Sequence, residues 1–471
     1  MKKAIDKSKI MVLVPLVLTG ITFYYCDINS NIRQGINVWE ALFSGQFFHY
    51  YSINLKSLEN GEMIHPANYD MVMNILMGIW QLPLYILEKI LNTNIQNYTL
   101  AKIWGELYPI IAIVYSGKIL RKIALEISMS NEQAENAVFM FLTGTYALTV
   151  AGVIGQADTI GIMFILLAME NLIKDNQRRF LFFFIIAAQC KFFALFIFIP
   201  IILLREKNLF KIALQTFAPL LVSFLIDLPF KMIDPLGTAS KKTRLHAMLY
   251  DMTENRISLM GVDISVIFIV FSVICLFAYL HNKPEKPDLG KWYLYLGLCS
   301  ILSTLVCYRD YPYWLIYVSP FISILIFLKR ENLLRRVLLE TIASLSLTVG
   351  FLIFFHGSYA VNYLLLQQIY PADIINVEKI NSVYDIIMTE NYCNAWTLTY
   401  GIFIAWAIGF LISYFPDRVE NGENELIDKE KNENHETDSK QIHLLLWLRA
   451  IGGYVICNIS LFIYFALKMK G

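Results

Sequence analysis

The residues best suited by type and spacing to do chemistry stand where apolar runs end. Asp27 follows at once on the uncharged run Ile10–Cys26, and a long polar stretch, Asn29 to Tyr69, comes after it. A carboxylate held there could act as a general base at a membrane surface, drawing a proton from a hydroxyl nucleophile. By position alone, a solvated residue just past a helix end reads the same way. From Asp27 to Gly45 the apolar residues Ile32, Ile36, Trp39, Leu42 and Phe43 recur at helical spacing. That pattern predicts an amphipathic helix in the membrane interface, bracing Asp27.

Gly155-Gln156-Ala157-Asp158 is a short polar break between two apolar runs. Such breaks are tolerated at membrane depth where they line a cavity. Asp158 there suits a helix cap as well as catalysis. Lys191 lies in Ala187-Ala188-Gln189-Cys190-Lys191-Phe192-Phe193. An ionisable residue in such a run costs roughly 2.5–3.5 kcal/mol on insertion, and it either snorkels to water or faces a cavity or partner. Tyr308-Arg309-Asp310-Tyr311-Pro312-Tyr313-Trp314 joins two apolar runs. It reads either as an aromatic belt with a local Arg–Asp pair or as an arginine for phosphate with rings against a sugar face. Lys241, Lys242, Arg244 and His246 form a basic cluster. His65 and His356 stand alone.

These residues must be positioned by membrane helices. The 471 residues are 57% hydrophobic and 16% charged, against about 25% charged in soluble domains. Uncharged runs of about 18 residues or more recur along the chain, each long enough to cross a bilayer. The expected class is all-α, a polytopic helical membrane protein. A net charge of +1 argues against a nucleic-acid partner. Lys2 to Lys9 precede the first run, but Phe23-Tyr24-Tyr25-Cys26 is no small-residue cleavage site, so a retained first span is expected. The seven cysteines are scattered, without metal-ligand spacing or a disulfide framework.

Lysine and arginine set the expected orientation. Lys2, Lys3, Lys7 and Lys9 place the N-terminus in the cytoplasm and Asp27 outside. The clusters Lys118/Arg121/Lys122, Lys174/Arg178/Arg179, Arg205/Lys207/Lys211, Lys283/Lys286/Lys291 and Lys329/Arg330/Arg335/Arg336 should also be cytoplasmic. Only one of Met71–Leu91 and Leu100–Ile119 can then cross. The first carries Asn74, Gln81, Pro83 and Glu88, and is assigned to the outer interface. Between Arg179 and Arg205 the chain must return to its starting side, so two half-helices should meet near Lys191, on the outside near both aspartates. Counting on, this gives about 13 crossings. Residues 1–415 form one membrane domain, 416–441 a polar cytoplasmic linker of disordered composition, and 442–471 a last transmembrane helix. The Lys241–His246 cluster falls outside, against the positive-inside trend.

A Walker loop, GxGxxG after a strand, HExxH and a long external Asp-x-Asp motif are all missing. The order of several segments nevertheless resembles the GT-C superfamily of integral-membrane glycosyltransferases, especially bacterial polyprenyl-phosphate-sugar-dependent members and their mannosyltransferase relatives. The likeness rests on Asp27, on Trp39…Gly45…Tyr50-Tyr51, on Gly155-Gln156-Ala157-Asp158, on Lys191 followed by Pro200 and Leu203-Leu204-Arg205-Glu206-Lys207, and on Pro312-Tyr313-Trp314 with Ser319-Pro320-Phe321. It covers roughly residues 1–330. It implies inverting transfer of a mannose-like hexose from a polyprenyl-phosphate sugar to a glycan or glycolipid of the cell envelope, on the outer face of the cell membrane, without cofactor or metal. Asp27 would be the base and Asp158 its assistant. Gln156, Lys191, His65, Arg244, His246, Arg309, Asp310, Tyr311 and Tyr313 are the candidate substrate contacts. The family's longer Pro-Pro stretch is replaced here by Ile64-His65-Pro66-Ala67-Asn68-Tyr69. A polytopic transporter or lipid-linked glycan flippase is the alternative. It should carry ionisable residues mid-helix on several spans, whereas the polar residues here concentrate in the expected external segments.

Overall fold

A computed structural model describes residues 7–22, 27–63, 65–67, 69–307, 312–329, 331–354, 380, 393–416 and 431–469. The helices are α1 (Lys7–Thr22), α2 (Asp27–Phe43), α3 (Tyr50–Glu59), α4 (Met71–Leu91), α5 (Thr99–Glu126), α6 (Asn131–Thr143), α7 (Asp158–Ile173), α8 (Gln177–Cys190) and α9 (Phe193–Arg205). They continue with α10 (Leu209–Ile233), α11 (Pro235–Met252), α12 (Val266–Leu280), α13 (Lys286–Val306), α14 (Ser319–Leu328), α15 (Leu333–Phe354), α16 (Cys393–Ser413), α17 (Lys431–Cys457) and α18 (Ile459–Lys468). The expected helical class holds with one addition. Strands β1 (Arg256–Leu259) and β2 (Val262–Ser265) pair as an antiparallel hairpin. Its two turn residues, Met260 and Gly261, both have positive φ, the geometry that matches strand twist in a two-residue turn.

Among the described residues, five helices are long and apolar enough to cross a membrane, or seven if each of two bent pairs counts as one. This is fewer than the 13 segments expected, because several apolar runs form shorter helices. One bent pair is α6 with the π-helical segment Ala147–Val153, set at 49°. The other is α17 with α18, broken at Asn458 and bent by 62°. Helix α17 starts at Lys431, inside the stretch expected to be disordered. Leu214, Phe217, Leu221, Phe224 and Leu225 are exposed along α10, a face that suits lipid better than water.

The basic clusters gather at one end of the bundle. Lys174 bridges Glu170 and Glu126 at 2.7 and 3.4 Å, and Arg205 meets Asp175 at 2.7 Å. Lys207 Nζ donates to the carbonyls of Ala278 and Tyr279 in α12 and of His281 just past it, at 3.1, 2.6 and 3.0 Å. The Arg205–Asp175 contact joins the end of α9 to the start of α8, and Phe198 packs on Phe180 and Phe184. The two half-helices therefore fold back as a hairpin whose tip is Lys191.

Helix α4 packs toward the opposite end. It packs on α5 through Trp104 and Tyr108 and on α8 through Ile186 and Cys190. From Tyr108 to Glu126, α5 runs a further distance of about 27 Å, which α4 does not follow. Trp80 and Trp104 stack at 4.5 Å and exchange indole N–H bonds to each other's carbonyls at 2.9 and 3.0 Å. By length and apolarity α4 is one of the candidate spans, although the sequence pattern points to the outer interface; its packing partners lie toward the end that carries Asp27.

Helix α2 forms as expected but is not a bare interfacial helix. Ile32 and Ile36 are buried, while Leu42 and Phe43 are exposed. Its polar side is covered too. Asn37 donates its amide to Asn54 Oδ1 and Ser57 Oγ of α3, both at 3.1 Å. Protein encloses the helix that starts at Asp27.

Candidate active site

Asp27 is the first residue of α2, where the exposed N–H groups and helix dipole favour a negative charge. Gln156 donates its side-chain amide to Asp27 Oδ2 at 2.6 Å. His65 Nε2 lies 3.3 Å from the other oxygen, and the His65 backbone N–H reaches Ser30 Oγ at 3.4 Å. Gln156 is set by its own backbone. Its N–H bonds the Val150 carbonyl at 3.0 Å, and Gly155 before it has φ +63°. A Cβ on Gly155 would overlap the Glu106 carboxyl and the Ile28 side chain, so only glycine fits this turn.

Asp158 opens α7 but does not cap it through its side chain. The carboxylate instead takes Lys191 Nζ at 3.1 Å and the Tyr317 hydroxyl at 3.0 Å, both on Oδ1. Lys191 sits in extended backbone between α8 and α9. Its ammonium is 4.7 Å from the Trp314 ring centre and 5.3 Å from that of Tyr69. With the two side chains 11% and 1% exposed, this is a buried ion pair in an aromatic box, and snorkelling is excluded. Tyr313 packs edge-on against Trp314. It is Trp314 that reaches the lysine.

Lys241 of the basic cluster is engaged elsewhere. Lys241 Nζ lies 2.9 Å from both oxygens of Asp227, also pairs with Asp70, and stands over the Tyr51 ring. Burial, with Asp227 and Asp70 nearby, pushes the Tyr51 phenol well up, so it stays a hydroxyl. Lys241 is thus paired with two carboxylates. Arg244 and His246 lie on α11, but their side chains fall outside the described residues. Arg309, Asp310 and Tyr311 lie outside them altogether.

Sequence reasoning passed over two groups beside the aspartates. Glu106 and Tyr108 of α5 are buried, and neither Glu106 oxygen nor the Tyr108 hydroxyl has a hydrogen-bond partner. Tyr108 sits in the field of Glu106, Asp158 and Asp27. The signal was a single acid inside the apolar run Leu100–Ile119. Ionisable groups are also not confined to one end, as had been expected. Glu340 of α15 and Arg449 of α17 form a buried pair at 2.5 Å, and Arg449 donates to the Met140 carbonyl at 2.8 Å.

Chemically, the site combines a carboxylate oriented by an amide, a second carboxylate paired with a cation, and aromatic faces. Among the described residues no group of three or more His, Cys, Asp or Glu is placed to hold a metal ion. No family model, curated protein or solved structure matches the chain.

Proposed function

We propose that the chain is a membrane glycosyltransferase of the GT-C kind, moving a mannose-like hexose from a polyprenyl-phosphate carrier to a hydroxyl of an envelope glycan or glycolipid. The supporting observation is the meeting of Asp27–Gln156 and Asp158–Lys191, from three separate segments, at the end of the bundle opposite the basic clusters. The positive-inside trend puts that end outside the cell membrane. The acceptor oxygen attacks the anomeric carbon as Asp27 takes its proton. The bond from that carbon to the phosphate oxygen breaks, and the lipid phosphate leaves with the electron pair. Attack opposite the leaving group inverts the centre. Gln156 keeps Asp27 aimed, and the Lys191 ammonium lies where it can offset charge gathering on the phosphate.

A transporter or flippase is the second reading. Buried Glu106 and the Glu340–Arg449 pair favour it, since ionisable groups inside spans mark transport paths. Against it, Arg449 ties α17 to both α15 and α6, contacts that a rocking motion would have to break.

Mass spectrometry of cells lacking the protein, complemented with wild type or Asp27→Asn, separates the two. A transferase defect leaves an envelope glycan one hexose short while lipid-linked hexose accumulates, and Asp27→Asn does not restore it. A flippase defect instead leaves the complete lipid-linked glycan stranded on the inner leaflet.

A further inference from the structure

The unpartnered groups beneath Asp27 form a set. Asn31 of α2 is 5% exposed, Tyr108 of α5 is 5% and Glu106 is 1%. Asn31 Nδ2, the Tyr108 hydroxyl, both Glu106 oxygens and Asp158 Oδ2 all lack a hydrogen-bond partner. The Asn31 side chain lies within hydrogen-bonding reach of the Tyr108 hydroxyl, but the two are not aligned in a well-formed bond, so each keeps capacity for a further partner. Glu106 lies against Gly155 and so beside Gln156. Buried polar groups are almost always paired, by protein, water or ligand. An orphaned buried donor or acceptor loses its hydration without replacement. Here several from α2, α5 and α7 converge next to the Asp27 carboxylate.

We propose that Asn31, Tyr108, Glu106 and the free oxygen of Asp158 cradle the hydroxyls of the donor's sugar ring, which rests on the transferase reading above. The set holds three carboxyl oxygens, one hydroxyl and one amide. It is rich in acceptors, with few donors. A polyol fits it, because each hydroxyl can donate to a carboxylate and accept from an amide or phenol. A phosphate fits it less well, because the Asp158 carboxylate would face it with like charge. The cradle therefore selects the sugar, while the carrier phosphate lies on the Lys191 side of the Asp158–Lys191 pair. Met73 and Met77 of α4 pack over Tyr108. Unbranched methionines adapt to different shapes, which suits a cover that must accept a ring.

The test uses the purified full chain and four probes: undecaprenyl phosphate and its mannose, glucose and galactose conjugates. Affinities are measured for wild type, Tyr108→Phe and Asn31→Ala. Wild type should bind at least one conjugate more tightly than the bare carrier. Each substitution should cut that preference about tenfold, the scale of one lost hydrogen bond, and leave affinity for the bare carrier unchanged. That unchanged affinity also shows that the variants are folded. Preference retained in both variants means that the orphaned groups hold buried water only, and overturns the cradle while the transferase reading stands. No preference for any conjugate in wild type overturns the transferase reading, and the cradle with it.

Discussion

Gln156 donates its side-chain amide to Asp27 Oδ2 at 2.6 Å, across 129 positions of sequence. One Asp27 oxygen is thereby fixed, and the other faces His65. An aimed base should lose turnover rather than substrate affinity when its support is removed. Gln156→Ala is expected to lower kcat by roughly ten- to a hundredfold, within the range of general-base help, with KM for donor nearly unchanged. Gln156→Glu should do worse, because it sets a second carboxylate against the first. Steady-state kinetics on the three proteins checks this. A large KM change with intact kcat would make Gln156 a binding group.

Lys191 and Asp158 should behave as a buried pair. Removing one partner strands the other charge, at about 3–5 kcal/mol. Lys191→Met and Asp158→Leu should each lower the unfolding temperature in detergent, while the double variant recovers much of the loss and stays inactive. Single variants as stable as wild type would show that the pair is solvated.

The legible part of this site was the part that broke a pattern. Asp27, Asp158 and Lys191 stand out because each interrupts or ends an apolar run. The fold-back at Lys191 follows from counting basic clusters, since two clusters on one side demand an even number of passes. Pairing was not legible. Nothing near Lys191 in the chain points to Asp158, or to the Trp314 and Tyr69 rings. Glu106 was absorbed into an apolar run because one acid scarcely alters the average of a 28-residue helix. Amphipathic spacing in α2 picked out its apolar stripe but could not tell that α3 covers its polar side. The Glu340–Arg449 pair joins segments far apart in sequence, so neither residue announces the other.

Sidedness has its own consequence. If the end bearing Asp27 is external, exposed residues there should be open to a membrane-impermeant thiol reagent. Asn60→Cys, just past α3, and Asn97→Cys, between α4 and α5, are expected to react in intact cells of a cysteine-free variant. Lys283→Cys, near the basic end, should react only after permeabilisation. Asn97→Cys protected while Asn60→Cys reacts would mean that α4 crosses the membrane, and the layout of the site would have to be redrawn.

On the proposed reading, Asp27 serves as the base in transfer of a lipid-linked hexose. Its most direct test is the transfer rate of purified wild type and Asp27→Asn, using the conjugate that wild type binds best and an envelope glycan extract as acceptor, with product followed by mass spectrometry. Wild type is expected to transfer hexose and Asp27→Asn to do so at a rate at least about a hundredfold lower, with donor affinity nearly unchanged. Near-normal transfer by Asp27→Asn would contradict it.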